Sequence, residues 1–141
     1  MDTVINGNGV GVVLLSIGGY KVASLKNVVI TGSTFDSVFL GNSNSYVNVT
    51  DSIISGNGGR AINADTSSAT ANVERTTMAN NAAALNAAAP GSTIRVSASS
   101  IYNNTNGFLI ASGAVIQSDG TNKTGASNGG LQAPNAPLTL Q

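Results

Sequence analysis

Short stretches of the chain alternate apolar and polar residues. Residues 46–50 (YVNVT) and 93–97 (TIRVS) place aliphatic side chains at every second position, which is the period of a strand with one buried face. Clusters of Gly, Asn and Ser separate such stretches, and these residues tolerate the left-handed backbone angles of tight turns. The pattern therefore predicts many short strands joined by turns.

The pattern also repeats along the chain. Each copy has an aliphatic residue, then Ser or Thr three places on, Ile or Met five places on and Asn eight places on. Four places after the Asn comes Ala, Leu or Phe. The columns are Val49/Val73/Val96, Ser52/Thr76/Ser99, Ile54/Met78/Ile101, Asn57/Asn81/Asn104 and Ala61/Leu85/Phe108, with spacings of 24 and 23 residues. So many columns in one register predict a repeat architecture.

Two further copies are predicted nearer the start of the chain. Residues 30–35 (ITGSTF) resemble the first half of the repeat, with Val38 and Leu40 following after a shorter turn. Residues 6–10 (NGNGV) resemble the turn that leads to Phe108. The chain is therefore expected to form one domain, 1–141, with roughly five coils over about 6–117 and an irregular tail at 118–141.

A parallel β-solenoid explains this period best. Three short strands and three turns fill a coil of 23–24 residues, and successive coils stack about 4.8 Å apart. The Ala-rich residues 78–89 favour a helix by composition, but they occupy the same columns as the other copies and are read as a coil. Stacking predicts an internal ladder of Asn57, Asn81 and Asn104, whose side-chain amides donate to the carbonyls of the next coil.

These repeats, with the turn at 104–108, resemble the right-handed parallel β-helix proteins of the pectate-lyase-like superfamily, and in character its uncharacterised bacterial members. The resemblance implies an all-β, right-handed parallel β-helix that binds or cleaves polysaccharides on its outer face. Larger members cap the N-terminal end with an amphipathic helix and secreted members carry a signal peptide, and neither is visible here.

Open ends of the solenoid predict a homo-oligomer, because they leave strand edges unpaired. Residues 137–141 are expected to add a final strand. The compartment stays open, including an extracytoplasmic one after processing.

Composition excludes several kinds of chemistry. The chain has no His and no Cys, so Ser-His-Asp and Cys-His nucleophile pairs, Cys/His zinc sites and disulfides are excluded. Its net charge is zero, which argues against a nucleic-acid partner, and its apolar runs are too short to predict a membrane span. No cofactor is predicted. Low charge follows from the architecture, because stacked columns bring like charges close together.

The candidate binding residues are Asp51, Arg75 and Arg95, since the superfamily's lyases use outward Asp and Arg or Lys side chains. An exposed ion pair with no binding role would explain the shared column of Asp51 and Arg75 equally well.

The expected function is a non-catalytic structural or binding solenoid that recognises glycans. The alternative is a partial or degenerate lyase or hydrolase, for which Asp51 and Glu74 form the nearest carboxylate pair. No column gathers the oxygen ligands of a calcium site. An ice-binding column of Thr31, Thr50, Glu74 and Ser97 is interrupted by the glutamate.

Overall fold

The chain winds through stacked coils of three short strands each. The computed structural model describes residues 3–15, 18–127, 129 and 132–138. The strands, coil by coil, are β1 (Thr3–Asn6), β2 (Val12–Leu14) and β3 (Lys21–Lys26); β4 (Val28–Thr31), β5 (Val38–Leu40) and β6 (Ser45–Thr50); β7 (Ile53–Ser55), β8 (Arg60–Ala64) and β9 (Thr70–Glu74); β10 (Thr77–Ala79), β11 (Ala83–Ala87) and β12 (Thr93–Ser97); β13 (Ser100–Tyr102), β14 (Asn106–Ile110) and β15 (Val115–Ser118); then β16 (Lys123–Thr124) and β17 (Ala136–Pro137).

Equivalent strands of successive coils pair in parallel and form three sheets. Sheet 1 has the order β1-β4-β7-β10-β13-β16, sheet 2 has β2-β5-β8-β11-β14, and sheet 3 has β3-β6-β9-β12-β15-β17. The fold is therefore an all-β parallel solenoid of about five coils, as predicted. The Ala-rich segment contributes β10 and β11, so its interpretation as a coil is confirmed. Within the described ranges no helix is long and apolar enough to cross a membrane.

The core is a set of aliphatic columns between the three sheets. On sheet 1, Ile30, Ile54, Met78 and Ile101 lie in one register and are fully buried. On sheet 2 the column is Val38, Ile62, Leu85 and Phe108, and on sheet 3 it is Val49, Val73 and Val96. The hydrophobic effect stabilises such a column because every coil removes the apolar surface of its neighbours from water.

The predicted asparagine ladder forms at the turn after sheet 1. Nδ2 of Asn57 donates to Oδ1 of Asn81 at 2.9 Å, and Nδ2 of Asn81 donates to Oδ1 of Asn104 at 3.0 Å. The same oxygens accept the backbone N–H groups of Asn57 and Asn81. All three side chains are buried, so the ladder satisfies polar groups that water does not reach.

Single left-handed residues turn the chain between sheet 3 and sheet 1. Asn27, Asp51, Arg75 and Ala98 occupy this turn in successive coils, with φ between 47° and 54°. One αL residue bends the chain sharply from one sheet to the next, although a Cβ is unfavourable there. The turn therefore places the side chains of Asp51 and Arg75 one above the other.

The predicted register of the second coil is wrong. Ile30 was placed in the Val49 column, but it pairs with Ile54, and Leu25 pairs with Val49. Phe35, expected in the core, is 64% exposed. The coil has the full length of 24 residues. Its column positions hold Val28 and Ser33 in place of Ser and Asn, which is why the sequence pattern was misaligned.

Two smaller shifts follow from turn length. Ile62 and not Ala61 pairs with Leu85, because two glycines separate Asn57 from β8 whereas one alanine separates Asn81 from β11. In the first coil, Val12 and not Val10 pairs with Val38 in the sheet 2 column. Turn residues are added or lost without disturbing a strand, so spacing alone does not fix the register.

The stacking continues beyond residue 117. β16 pairs with β13, and β17 pairs with β15 through Gln117 and Ser118. The predicted strand at 137–141 is described only at its start, where Pro137 lies in β17 and the backbone N–H of Leu138 donates to Ser118; residues 139–141 lie outside the described residues.

Candidate binding face on sheet 3

The outer face of sheet 3 carries a column of amide and guanidinium groups. Asn48, Asn72 and Arg95 lie in register on β6, β9 and β12, and Gln117 follows on β15. Nδ2 of Asn72 donates to Oδ1 of Asn48 at 2.8 Å, and Nη1 of Arg95 lies 3.4 Å from Oδ1 of Asn72. The alternation of these strands points the column outward, in agreement with the period predicted for residues 46–50 and 93–97. The column presents both donors and acceptors along the solenoid.

A charge cluster lies at the edge of this face, in the left-handed turn. Nε of Arg75 donates to Oδ1 of Asp51 at 2.7 Å, and its Nη2 lies 3.2 Å from Oδ2. Nη1 of Arg75 also donates to Glu74. The hydrogen bonds from Arg75 lower the pKa of the Asp51 carboxyl, and the same contacts raise the pKa of Arg75. The Arg75 side chain is 50% exposed and the Asp51 side chain 30%.

Lys26 is a neighbour of this cluster that the sequence reading missed. The outward column predicted as Thr31, Thr50, Glu74 and Ser97 has Lys26 at its start, because Lys26 pairs with Thr50 whereas Thr31 pairs with Ser55 on sheet 1. The positive charge of Lys26 contributes to the lowered pKa of Asp51, after the larger effect of Arg75. The error has the same cause as the misaligned second coil.

The three predicted site residues divide into two groups. Asp51 and Arg75 form the ion pair in the turn, whereas Arg95 lies on β12 and contacts Asn72. Asp51 and Glu74 share Arg75 between them, as expected for carboxylates on consecutive coils. The guanidinium favours the ionised form of Asp51, whose pKa it lowers.

Tyr20 and Tyr46 extend the face toward the first coil. Their ring centroids are 6.1 Å apart with a tilt of 35° between the ring planes, and Tyr20 is 77% exposed. Tyr46 lies on the same strand as Asn48, and the alternation of β6 turns both outward. The period-2 pattern of residues 46–50 contained this information, but only charged side chains were predicted as binding residues.

A second polar cluster, also missed, is buried beneath the turn before β8. Oδ2 of Asp36 accepts hydrogen bonds from Nη2 of Arg60 at 2.9 Å and from Nδ2 of Asn63 at 2.8 Å. Oδ1 of Asp36 accepts the backbone N–H of Arg60 at 3.0 Å. Asn63 in turn accepts a hydrogen bond from Asn86. The spacing of 24 residues between Asp36 and Arg60 is the signal that could have identified it. Both carboxylate oxygens of Asp36 therefore accept hydrogen bonds from within the cluster.

Concave surface lies at the C-terminal end of the solenoid. Three cavities of about 330, 400 and 440 Å³ form there between the last coil and residues 132–137. None of these three is lined by Asp51, Arg75 or Arg95. Across the described part of the chain, no group of three or more acidic side chains could hold a metal ion. No protein-family model, curated protein or solved structure matches the chain.

Proposed function

We propose that the protein is a non-catalytic binding solenoid that recognises an extended glycan along the outer face of sheet 3. The supporting observation is the aligned column of Asn48, Asn72 and Arg95 beside the exposed Tyr46. Amide and guanidinium groups pair with sugar hydroxyls, and an aromatic ring supplies an apolar contact for a sugar face. Because the coils repeat at about 4.8 Å, a linear polymer along the solenoid axis meets similar groups at each step.

Most of the positively charged residues lie on the same side of the solenoid as this face. Four of the six Lys and Arg residues, Lys21, Lys26, Arg75 and Arg95, lie on sheet 3 or in the turn that follows it. Arg75 is occupied by Asp51 and Glu74, whereas Lys26 and Arg95 lie in neighbouring outward columns of the face. This arrangement supports a polar, ligand-facing surface.

Affinity electrophoresis against a panel of neutral and acidic soluble polysaccharides tests the proposal. We expect at least one to retard the protein, and we expect Arg95→Ala and Tyr46→Ala to weaken binding about tenfold or more. Lys123→Ala and Tyr102→Ala are the matched controls, because they remove an exposed cation and a similarly exposed tyrosine from sheet 1. Binding by no polysaccharide, or equal losses in all four variants, would contradict the proposal.

The same panel tests the enzymatic alternative, a degenerate lyase or hydrolase of the pectate-lyase-like superfamily. Reducing or unsaturated products that appear with the wild type and vanish in Arg75→Ala would establish turnover through Asp51, Arg75 and Arg95. That result would overturn the non-catalytic proposal. We expect no product from either protein.

A further inference from the structure

Arg95 fixes the direction of the amide column on the outer face of sheet 3. A guanidinium carries N–H donors and no acceptor, so the Asn72 amide must turn its Oδ1 toward Nη1 of Arg95, at 3.4 Å. Nδ2 of Asn72 is thereby turned toward Oδ1 of Asn48, at 2.8 Å. The hydrogen bonds of the column therefore run in one direction, from Arg95 through Asn72 to Asn48.

This direction leaves a surplus of donors on the face. Oδ1 of Asn48 accepts the hydrogen bond from Asn72, whereas Nδ2 of Asn48 donates to no other described residue, and both asparagines are exposed. Arg95 uses one of its nitrogens toward Asn72 and forms no ion pair with a described residue. A ligand that satisfies the column therefore has to present hydrogen-bond acceptors.

The charges on this side of the solenoid favour a neutral acceptor over an anion. The column contains one cation, Arg95, and its other members in register are neutral: Ser24, Asn48, Asn72 and Gln117. At the edge of the face, cations and carboxylates offset one another: Lys26, Arg75, Asp51 and Glu74. Nζ of Lys21 donates to backbone carbonyls. A polyanion with a charge on every sugar would meet one guanidinium and not one cation in each coil.

An apolar strip borders the donor column. Tyr46 lies two residues before Asn48 on β6, about 7 Å away along the strand, and both side chains point outward. Val22 pairs with Tyr46 on the preceding coil and is 72% exposed, and the ring of Tyr20 packs against that of Tyr46. The strip and the column together fit a ligand with an apolar surface and a neutral carbonyl at its edge.

We infer that the glycan bound on sheet 3 is an extended polymer that contains N-acetylhexosamine, an inference that rests on the proposed function. An acetamido carbonyl is a neutral acceptor, whereas a sugar hydroxyl also brings a proton that needs an acceptor. Nδ2 of Asn48 donates to this carbonyl, as Nδ2 of Asn81 donates to Oδ1 of Asn104 inside the solenoid. The sugar ring and the acetyl methyl group pack on Tyr46 and Val22.

Three kinds of soluble oligosaccharide with the same backbone test the inference. They differ in the group on the second carbon of each sugar, which is acetamido in chito-oligosaccharides, hydroxyl in cello-oligosaccharides and ammonium in chitosan oligosaccharides. We expect titration calorimetry to give the acetylated form a Kd at least about tenfold below that of the hydroxyl form. The ammonium form should bind most weakly, because it adds donors and a positive charge.

Asn48→Asp separates the free donor from the rest of the column. A carboxylate at this position still accepts the hydrogen bond from Asn72 but has no N–H, so the two Kd values should become nearly equal. Asn103→Asp is the matched control, since it makes the same change at an exposed asparagine in the turn after sheet 1, in a left-handed conformation that Asp tolerates. It should keep the wild-type ratio of the two Kd values.

Equal affinity of the wild type for the acetamido and hydroxyl forms would overturn the inference and leave the glycan-binding proposal standing. An acetyl preference that Asn48→Asp does not reduce, or binding confined to anionic polysaccharides, would have the same meaning. If neither these oligosaccharides nor any polysaccharide of the panel binds, both the inference and the proposed function are wrong.

Discussion

Nδ2 of Asn81 lies 3.0 Å from Oδ1 of Asn104 and 3.1 Å from the carbonyl oxygen of Ile54, so one buried amide joins three successive coils. Oδ1 of the same amide accepts two hydrogen bonds from Asn57. A solenoid has no contacts between distant coils, and its stability is close to a sum of neighbour interactions. An internal amide in the middle of the stack therefore contributes to both neighbouring interfaces.

We expect Asn81→Leu to lower the free energy of unfolding by about 1–3 kcal/mol, because the N–H groups of Asn57 lose their buried acceptor. Urea denaturation measures the change. Asn72→Leu is the matched control: its amide also bonds across coils, but it is exposed, and its change should stay within about 0.5 kcal/mol. Equal effects at the two positions would show that burial of the ladder does not determine its contribution.

Gly59→Ala should destabilise the protein by about 1–3 kcal/mol through overpacking. A Cβ at residue 59 would lie 2.4 Å from the carbonyl carbon of Phe35 and 2.8 Å from the backbone nitrogen of Asp36. These are backbone atoms of the coil below and do not move aside easily. A Cβ at Gly9 meets no atom within 4 Å, so Gly9→Ala should leave the melting temperature unchanged or raise it slightly. A neutral Gly59→Ala would contradict the tight stacking of this turn.

Ala98→Gly should raise the free energy of unfolding by a few tenths to about 1 kcal/mol. Ala98 has φ of 47°, where a Cβ is unfavourable and glycine is not. Ala89→Gly is the control, since Ala89 also lies in a turn but outside the left-handed region, and there the substitution should destabilise. Opposite signs in thermal melts are the expected result. Destabilisation by both would mean that the left-handed strain at Ala98 is smaller than the entropy cost of glycine.

Acid should remove the contribution of the Asp51–Arg75 pair. The pKa of Asp51 is lowered by Arg75 in the folded state, so the folded protein holds its proton less tightly than the unfolded chain. The stabilisation is fully present above the unfolded pKa and is lost as pH falls through the folded one, that is, below about pH 4. The stability of wild type relative to Asp51→Asn, followed from pH 6 to pH 2, should decrease toward zero. A difference independent of pH would exclude the ion pair as its source.

The sequence predicted the fold where its columns were regular. Residues 49–57, 73–81 and 96–104 contain the full set of aliphatic, Ser/Thr and Asn positions, and their pairing was correct throughout. The register predicted for the second coil was wrong because Val28 and Ser33 replace the usual Ser and Asn, and a packed core accepts such substitutions. The false match at Ile30 was as good in sequence as the true one, and only the pairing of Ile30 with Ile54 distinguishes them.

The candidate site was predicted in part for a similar reason. Asp51 and Arg75 are one coil apart and occupy the same column, so their contact follows from the repeat. The distance of Arg95 from that pair does not follow from the repeat, because Arg95 lies on a strand whereas Asp51 and Arg75 lie in a turn. Tyr20, outside any complete repeat, joins Tyr46 only through the packing of the first two coils.

The sequence by itself determined that the chain is a stack of coils with an internal amide ladder, because a period of 23–24 residues repeats side-chain types that must lie above one another. It also determined the absence of His and Cys chemistry. Only the tertiary structure decided which turns contain an extra residue. It also decided that Arg75 donates hydrogen bonds to both Asp51 and Glu74. These features depend on distances between coils, which a one-dimensional pattern does not contain.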